Sequence, residues 1–410
     1  MTDAVAASHR AAGMDFDGAR VARLIVIAAL VFNLILSFVN ASVMRIGASH
    51  VIAVELVLLG IATAMVASRS VAFYAVSVLV LPMLILLLVL RYQLDAKAIR
   101  DAFIPIVFFF LGRHFGSPES GDRVVLAAIL VVVAGALFEW LFLDTYLKYF
   151  DVLGYYQARG SVDASVGGDG PGLFISGLRF EGRTLLPFLG EHRVSSVFLE
   201  PVSLGNFGAI AFAWVLLRDH GHIWRLVIKV LLIAMVLVLG DARFGLYLCG
   251  VVLLVYMVSP LVRPTMVFVL PFLIVIALVT YAGAMAGAPW DNTIMGRFLL
   301  SGQLLSTLDI SQALGIKVSA VDFDDSGYSY VLSRYGIVGA AVLWGLYVYG
   351  APAETASSWR YKLFVCVYLV LLLSISTSTV TIKTAALLWY LAGCVATGVA
   401  SAPQVLRFRD

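Results

Sequence analysis

Long apolar runs dominate this chain, and short polar connections separate most of them. A bilayer core takes about 20 apolar residues per helix, and a helix satisfies all its backbone groups within such a run. The pattern predicts spans over 22–39, 50–67, 71–90, 102–112, 123–143, 200–217, 223–239, 243–258, 265–284, 326–350, 361–376 and 380–397. The expected fold is therefore all-α. It is a polytopic integral membrane protein with about twelve transmembrane helices, in a single transmembrane domain over 1–410. The segment 102–112 is short and contains Pro105, so it could be re-entrant. Two long polar stretches, 144–193 and 285–325, interrupt the pattern. Each holds an apolar piece, Gly172 to Ile175 and Phe298 to Leu305, expected to lie on the membrane surface as a short helix.

Composition agrees with this pattern. Apolar residues make up 61% of the 410 positions and charged residues 13%, against about 45–50% and about 25% in soluble domains. Mean hydropathy is +0.98. A net charge of +3, without a basic cluster, argues against a nucleic-acid partner. Cys249, Cys366 and Cys394 sit inside apolar runs with no paired spacing, which argues against disulfides and zinc. No metal and no cofactor is expected. The polar stretch Met1 to Arg20 lacks a signal-peptide core and reads as a tail. The run Gly167 to Gly172 reads as a turn-rich loop, because it lacks the order of residues that cradles phosphate.

Charge sets the expected orientation. With twelve spans and the N-terminus inside, fourteen cations fall on the cytoplasmic side, in short connections, and both termini are cytoplasmic. Thirteen fall outside, spread over far more chain, and both long loops then face out. Nine of those thirteen are arginine: Arg45, Arg91, Arg100, Arg159, Arg179, Arg183, Arg193, Arg243 and Arg297. Cations are disfavoured there, so they call for partners. Arginine offers a planar fork suited to phosphate; pairing with loop carboxylates and lipid headgroups is the plainer reading.

Three segments carry candidate chemistry. In the first, Arg193 precedes Phe198-Leu199-Glu200-Pro201 and a long apolar run. Pro201 suits the first position of a helix, which puts Glu200 at the helix N-terminus. The second is the tight turn Gly240-Asp241-Ala242-Arg243 between two spans, where a salt bridge competes with a functional role. In the third, Asp322, Asp324 and Asp325 lead into Ser326-Gly327-Tyr328, with Arg334 about two turns inside a span.

The order of these segments resembles the O-antigen ligase and polysaccharide polymerase superfamily. The resemblance rests on Arg193, Phe198, Glu200 and Pro201, then Arg243, then Asp325-Ser326-Gly327-Tyr328 and Gly336-Ile337-Val338-Gly339. It runs from Arg193 to Gly339; the front half matches only as generic spans. It implies a metal-independent, GT-C-like glycosyltransferase of the bacterial inner membrane, acting at its periplasmic face. The implied substrate is an undecaprenyl-diphosphate-linked oligosaccharide, with membrane lipid, a chain-length regulator and a flippase as partners. Ligases of the family usually carry histidine where Asp325 stands, which favours a polymerase of exopolysaccharide, capsule or O-antigen over a ligase that transfers glycan to lipid A core.

In the mechanism so implied, a sugar hydroxyl attacks the anomeric carbon and lipid diphosphate leaves. Arg193 and Arg243 are the candidates to stabilise the leaving group. Glu200 first, and Asp325 second, are the candidate bases. Arg297, Arg334 and Tyr328 complete the candidate substrate-binding set. A transporter or flippase is the rival of a different class, kept open by Glu55 and Glu139 as candidate midplane charges.

Overall fold

The computed structural model describes residues 2–93, 95–162, 177–178, 186, 189–190, 192–289, 291, 293–319, 323 and 326–396, with side chains from residue 17 onward. Among them there is no strand, and Leu178 and His192 form an isolated antiparallel bridge. The helices are α1 (Thr2–Ser42), α2 (Ala48–Ala67), α3 (Val71–Arg91), α4 (Ala96–Phe115), α5 (Pro118–Leu141), α6 (Leu143–Phe150), α7 (Val152–Ala158) and α8 (Pro201–Asp219). They continue with α9 (Ile223–Leu239), α10 (Arg243–Val258), α11 (Pro264–Ala284), α12 (Ile294–Ser306), α13 (Ile310–Ala313), α14 (Gly327–Gly345), α15 (Ala356–Leu373) and α16 (Ile382–Ala396). Every segment predicted to span lies largely within one of these helices.

Among the described residues eight helices are long and apolar enough to cross a membrane: Asp17–Ser42 within α1, then α2, α3, α5, α8, α11, α14 with its extension to Gly350, and α15. Helices α10 and α16 are apolar but shorter. The 102–112 segment forms most of α4, which runs through Pro105 without ending.

Burial sorts the helices. Of the apolar window of α8, 78% is buried, against 17% in α3 and in α11. Uncovered apolar surface of that kind is the surface a bilayer solvates. Helix α16 is buried all round, from Ile382 to Val395, and packs against α1, α4, α5, α8 and α15. Glycines let it approach α4: a Cβ on Gly112 would meet the Tyr390 carbonyl oxygen at 2.0 Å, and one on Gly393 would meet that of Phe109 at 2.1 Å.

The first long polar stretch begins with the short helices α6 and α7. Its Gly167 to Ile175 portion lies outside the described residues. In the second, Phe298 to Leu305 belongs to α12, as the apolar run predicts.

Helix α14 departs from the expected straight span. It breaks at Gly336, where φ is 67° and ψ 165°. A side chain at Gly336 would meet the Leu314 carbonyl oxygen at 2.2 Å. The piece before the break links α15 to the α3–α4 connection. At its start, the Tyr328 hydroxyl donates to the Val370 carbonyl oxygen of α15 at 3.1 Å. At its finish, Arg334 pairs with Asp95 in the α3–α4 connection. The break strands the Arg334 carbonyl, which accepts from Arg91 Nη2 at 2.6 Å. Arg334 thus lies about two turns into α14, as the apolar pattern suggested, at the last turn before the break. It closes the end of a short helix and is paired there.

Candidate active site at one end of the bundle

The segment before α8 is held by a carboxylate. Glu139, near the end of α5 and only 1% exposed, accepts from the Ser195 backbone N–H at 3.0 and 3.1 Å and from that of Ser196 at 2.5 Å. His192 Nε2 lies 2.9 Å from the same carboxylate. The Tyr146 hydroxyl donates to the Ser196 carbonyl oxygen at 3.0 Å, and the Ser196 hydroxyl donates to that of Val132 at 2.7 Å. These bonds over-determine a backbone in which Ser196 and Leu199 both take positive φ, 52° and 61°. Residues held in that region mark sites where the surroundings enforce a shape.

That shape delivers Glu200 to the N-cap of α8, with Pro201 as first helical residue. The carboxylate does not cap the helix. It pairs instead with Lys383 Nζ, one residue into α16, and accepts from the Ser203 hydroxyl at 2.7 Å. Lys383 itself is 6% exposed, and the Glu200 side chain 27%. Burial pushes the Glu200 carboxyl up, but the Lys383 charge and the bonds from Lys383 and Ser203 outweigh it, with Arg159 adding to them. The net effect holds the group below the usual carboxylate range. A half-buried carboxylate beside a buried lysine does better by holding that lysine than by capping backbone.

Arg193 reaches the second segment directly. Its Nε donates to the Gly240 carbonyl oxygen and its Nη2 to that of Asp241, both at 3.2 Å. The neighbouring backbone is tied there too, Val194 N–H donating to the Leu239 carbonyl oxygen at 3.2 Å. Asp241 is buried and left-handed, with φ 44°. Its Oδ1 lies 3.8 Å from Nε of Arg243, the first residue of α10. The two arginines, fifty residues apart in sequence, therefore flank one aspartate. The same turn touches α8: a Cβ on Gly205 would meet that of Ala242 at 3.3 Å, and one on Gly240 the Leu204 side chain at 2.7 Å. Arg193, Arg243 and Glu200 thus belong to one end of the bundle, and the Arg243 side chain is 40% exposed there.

The remaining candidates divide. Arg297 lies on α12, four residues before Ser301 and so on the same side of that helix. The Ser301 hydroxyl is 2.9 Å from that of Ser326, the N-cap of α14. Asp325, the adjoining residue, is outside the described residues, as are Asp322 and Asp324. Tyr328 is buried in an apolar cluster with Leu278 and Leu305, and its hydroxyl is used on Val370. It packs α14 onto α15 and does not join the arginines.

Two participants, Lys383 and Arg159, escaped the sequence reading. Lys383 carried a usable signal: a lone cation at the head of an apolar run is costly without a partner. Arg159 stood among the outer arginines with nothing to single it out. Glu139 and Glu55 were weighed as midplane charges, yet both are satisfied by neighbours. Glu55 accepts from Arg100 Nη1 at 2.5 Å, and Arg100 also donates to Asp101 at 2.7 and 2.9 Å. Asp101 in turn accepts from the Tyr330 hydroxyl at 2.6 Å. Among the described residues no three His, Cys, Asp or Glu side chains gather as metal ligands. Compared with protein-family models, curated proteins and solved structures, the chain matches none.

Proposed function

We propose that the chain is a polymerase of undecaprenyl-diphosphate-linked oligosaccharides, a metal-independent glycosyltransferase. In this reading twelve helices cross the bacterial inner membrane, both termini are cytoplasmic, and the arginine-bearing end faces the periplasm. The observation that supports it most is the meeting of Arg193 and Arg243 around Asp241, beside the Glu200–Lys383 pair. Anion-binding groups at a membrane edge suit a lipid-borne diphosphate.

The proposed reaction breaks the bond between the anomeric carbon of one chain and its diphosphate. The bond that forms joins that carbon to a hydroxyl oxygen of a second chain. Lipid diphosphate departs with the bond electrons. Arg193 and Arg243 bind it as its charge grows, an effect worth about 10²–10³ in rate per well-placed donor. Glu200 accepts a hydrogen bond from the attacking hydroxyl and then its proton. Lys383 makes Glu200 a weak base. That suits a sugar transfer with oxocarbenium character, in which the leaving group departs early. Asp325 is the second carboxylate for this role, and Arg297, by its side of α12, a further contact for substrate.

The lipid-linked species that accumulates when the gene is deleted tests the proposal. Single repeat units on the periplasmic leaflet are the expected result. Finished polymer that is not attached to its acceptor would make the chain a ligase. Units held on the cytoplasmic leaflet would make it a flippase and end the glycosyltransferase reading.

A further inference from the structure

We infer that Arg159 forms a second diphosphate-binding subsite, separate from the Arg193–Arg243 pair, and that it holds the acceptor lipid. The inference rests on the polymerase reading above. Arg159 follows α7 at its C-cap, and its guanidinium lies over two tyrosine rings, 5.3 Å from the centre of Tyr155 and 5.6 Å from that of Tyr156. Both rings are buried, and Tyr155 is fixed by donating to Asn33 Oδ1 at 2.8 Å. The Tyr155 hydroxyl takes one hydrogen bond from the guanidinium, and an arginine mounted on aromatic faces has further in-plane donors for an anion.

The two carboxylates whose charges act on Arg159, Glu55 and Glu200, are already paired, with Arg100 and with Lys383. Among the described residues no carboxylate lies within ion-pairing distance of Arg159. Among those residues no ion pair takes its charge, and its half-buried position lowers the dielectric around any anion it meets.

The reaction supplies a reason for a second subsite. Joining two lipid-linked chains brings two diphosphates to one enzyme. One leaves, and the other stays on the acceptor. Both lipids sit in one leaflet, so both diphosphates lie at the level of the membrane surface while the acceptor sugars arch back to the reacting carbon. Arg193 and Arg243 meet at the α9–α10 turn, whereas Arg159 comes from α7, where its charge acts on Glu55 and Glu200.

The test is binding of geranylgeranyl diphosphate to the full chain in zwitterionic nanodiscs, followed by native mass spectrometry and titration. Wild type is expected to bind two molecules per chain. Arg159→Gln is expected to lose one, and the double variant Arg193→Ala, Arg243→Ala the other. If Arg159→Gln does not assemble, Arg159→Lys reads the same site, with one affinity weakened by roughly tenfold or more and the other unchanged. Arg159 variants that bind both molecules as wild type does would overturn the inference. So would loss of the Arg159-dependent site in discs containing phosphatidylglycerol, which would assign it to a headgroup phosphate. Two sites in a protein that makes no polymer would remove the polymerase reading and the acceptor role, but leave an Arg159 diphosphate site standing.

Discussion

Glu200 and Lys383 couple two segments far apart in the sequence, and their pairing governs what each can do. Removing one partner leaves the other charged group in a largely water-free setting, which is costly. Glu200→Gln is expected to destabilise the protein by roughly 2 kcal/mol, read as a lower melting temperature in detergent. Lys383→Met combined with Glu200→Gln should cost less than the two single changes added together, a coupling that a double-mutant cycle measures. The pH dependence follows from the direction in which Glu200 is held. Its folded proton affinity is below the unfolded one, so its contribution is fully present above the unfolded value, about 4.3, and is lost as pH falls through the folded value. The melting-temperature gap between wild type and Glu200→Gln should be constant from about pH 5.5 to 7 and close below about pH 4. A gap that instead widened in acid would contradict the assigned direction.

At the scale of elements, two devices shape the site, the Glu139 anchor and the break in α14. Glu139→Leu keeps the helix and removes the acceptor for two backbone N–H groups. Orphaned buried donors cost about 1–3 kcal/mol each. The expected result is loss of activity with rapid proteolysis between residues 192 and 200, while the helical content stays near wild type. A variant that kept full activity would show that the anchor is not needed. Gly336→Ala places a side chain where φ is 67° and a carbonyl oxygen stands 2.2 Å away. It should cost about 1–3 kcal/mol and loosen the packing of α13 on α14. An unchanged melting temperature would say that α14 can straighten.

The helices were legible because apolar runs long enough to cross a bilayer leave few alternatives, and 223–239 and 243–258 were placed to the residue. The turn chemistry was legible as well, since Pro201 and the Gly240 turn fix backbone shape locally. Partners across the bundle were not. Nothing in the spacing says that Glu200 faces a lysine from α16, or that Arg334 turns back to Asp95, because helix packing decides these meetings. The break at Gly336 was hidden for a related reason. A lone glycine inside an apolar run reads as a tolerated one, and the Leu314 carbonyl that fills the space beside it comes from a different stretch of chain.

On the scale of the whole molecule, the charges of α8, the most buried of the long apolar helices, are kept to its two ends. The outward faces of α2, α3 and α11 are largely apolar and uncovered. Core helices α8 and α16 meet at the Glu200–Lys383 pair, while the other end of α8 carries Arg218 and Asp219, paired with Asp122 and Lys229. The flippase alternative needs a polar route between the leaflets, and Glu55 and Glu139, its two candidates, are both occupied by local partners. The central claim is that Arg193 and Arg243 act together on a departing lipid diphosphate. Its most direct test is the rate of polymer formation by the purified chain in proteoliposomes supplied with undecaprenyl-diphosphate-linked repeat units. Wild type is expected to lengthen chains and release undecaprenyl diphosphate, with Arg193→Ala and Arg243→Ala each slower by about 10²–10³. Wild-type rates in both variants would contradict the account.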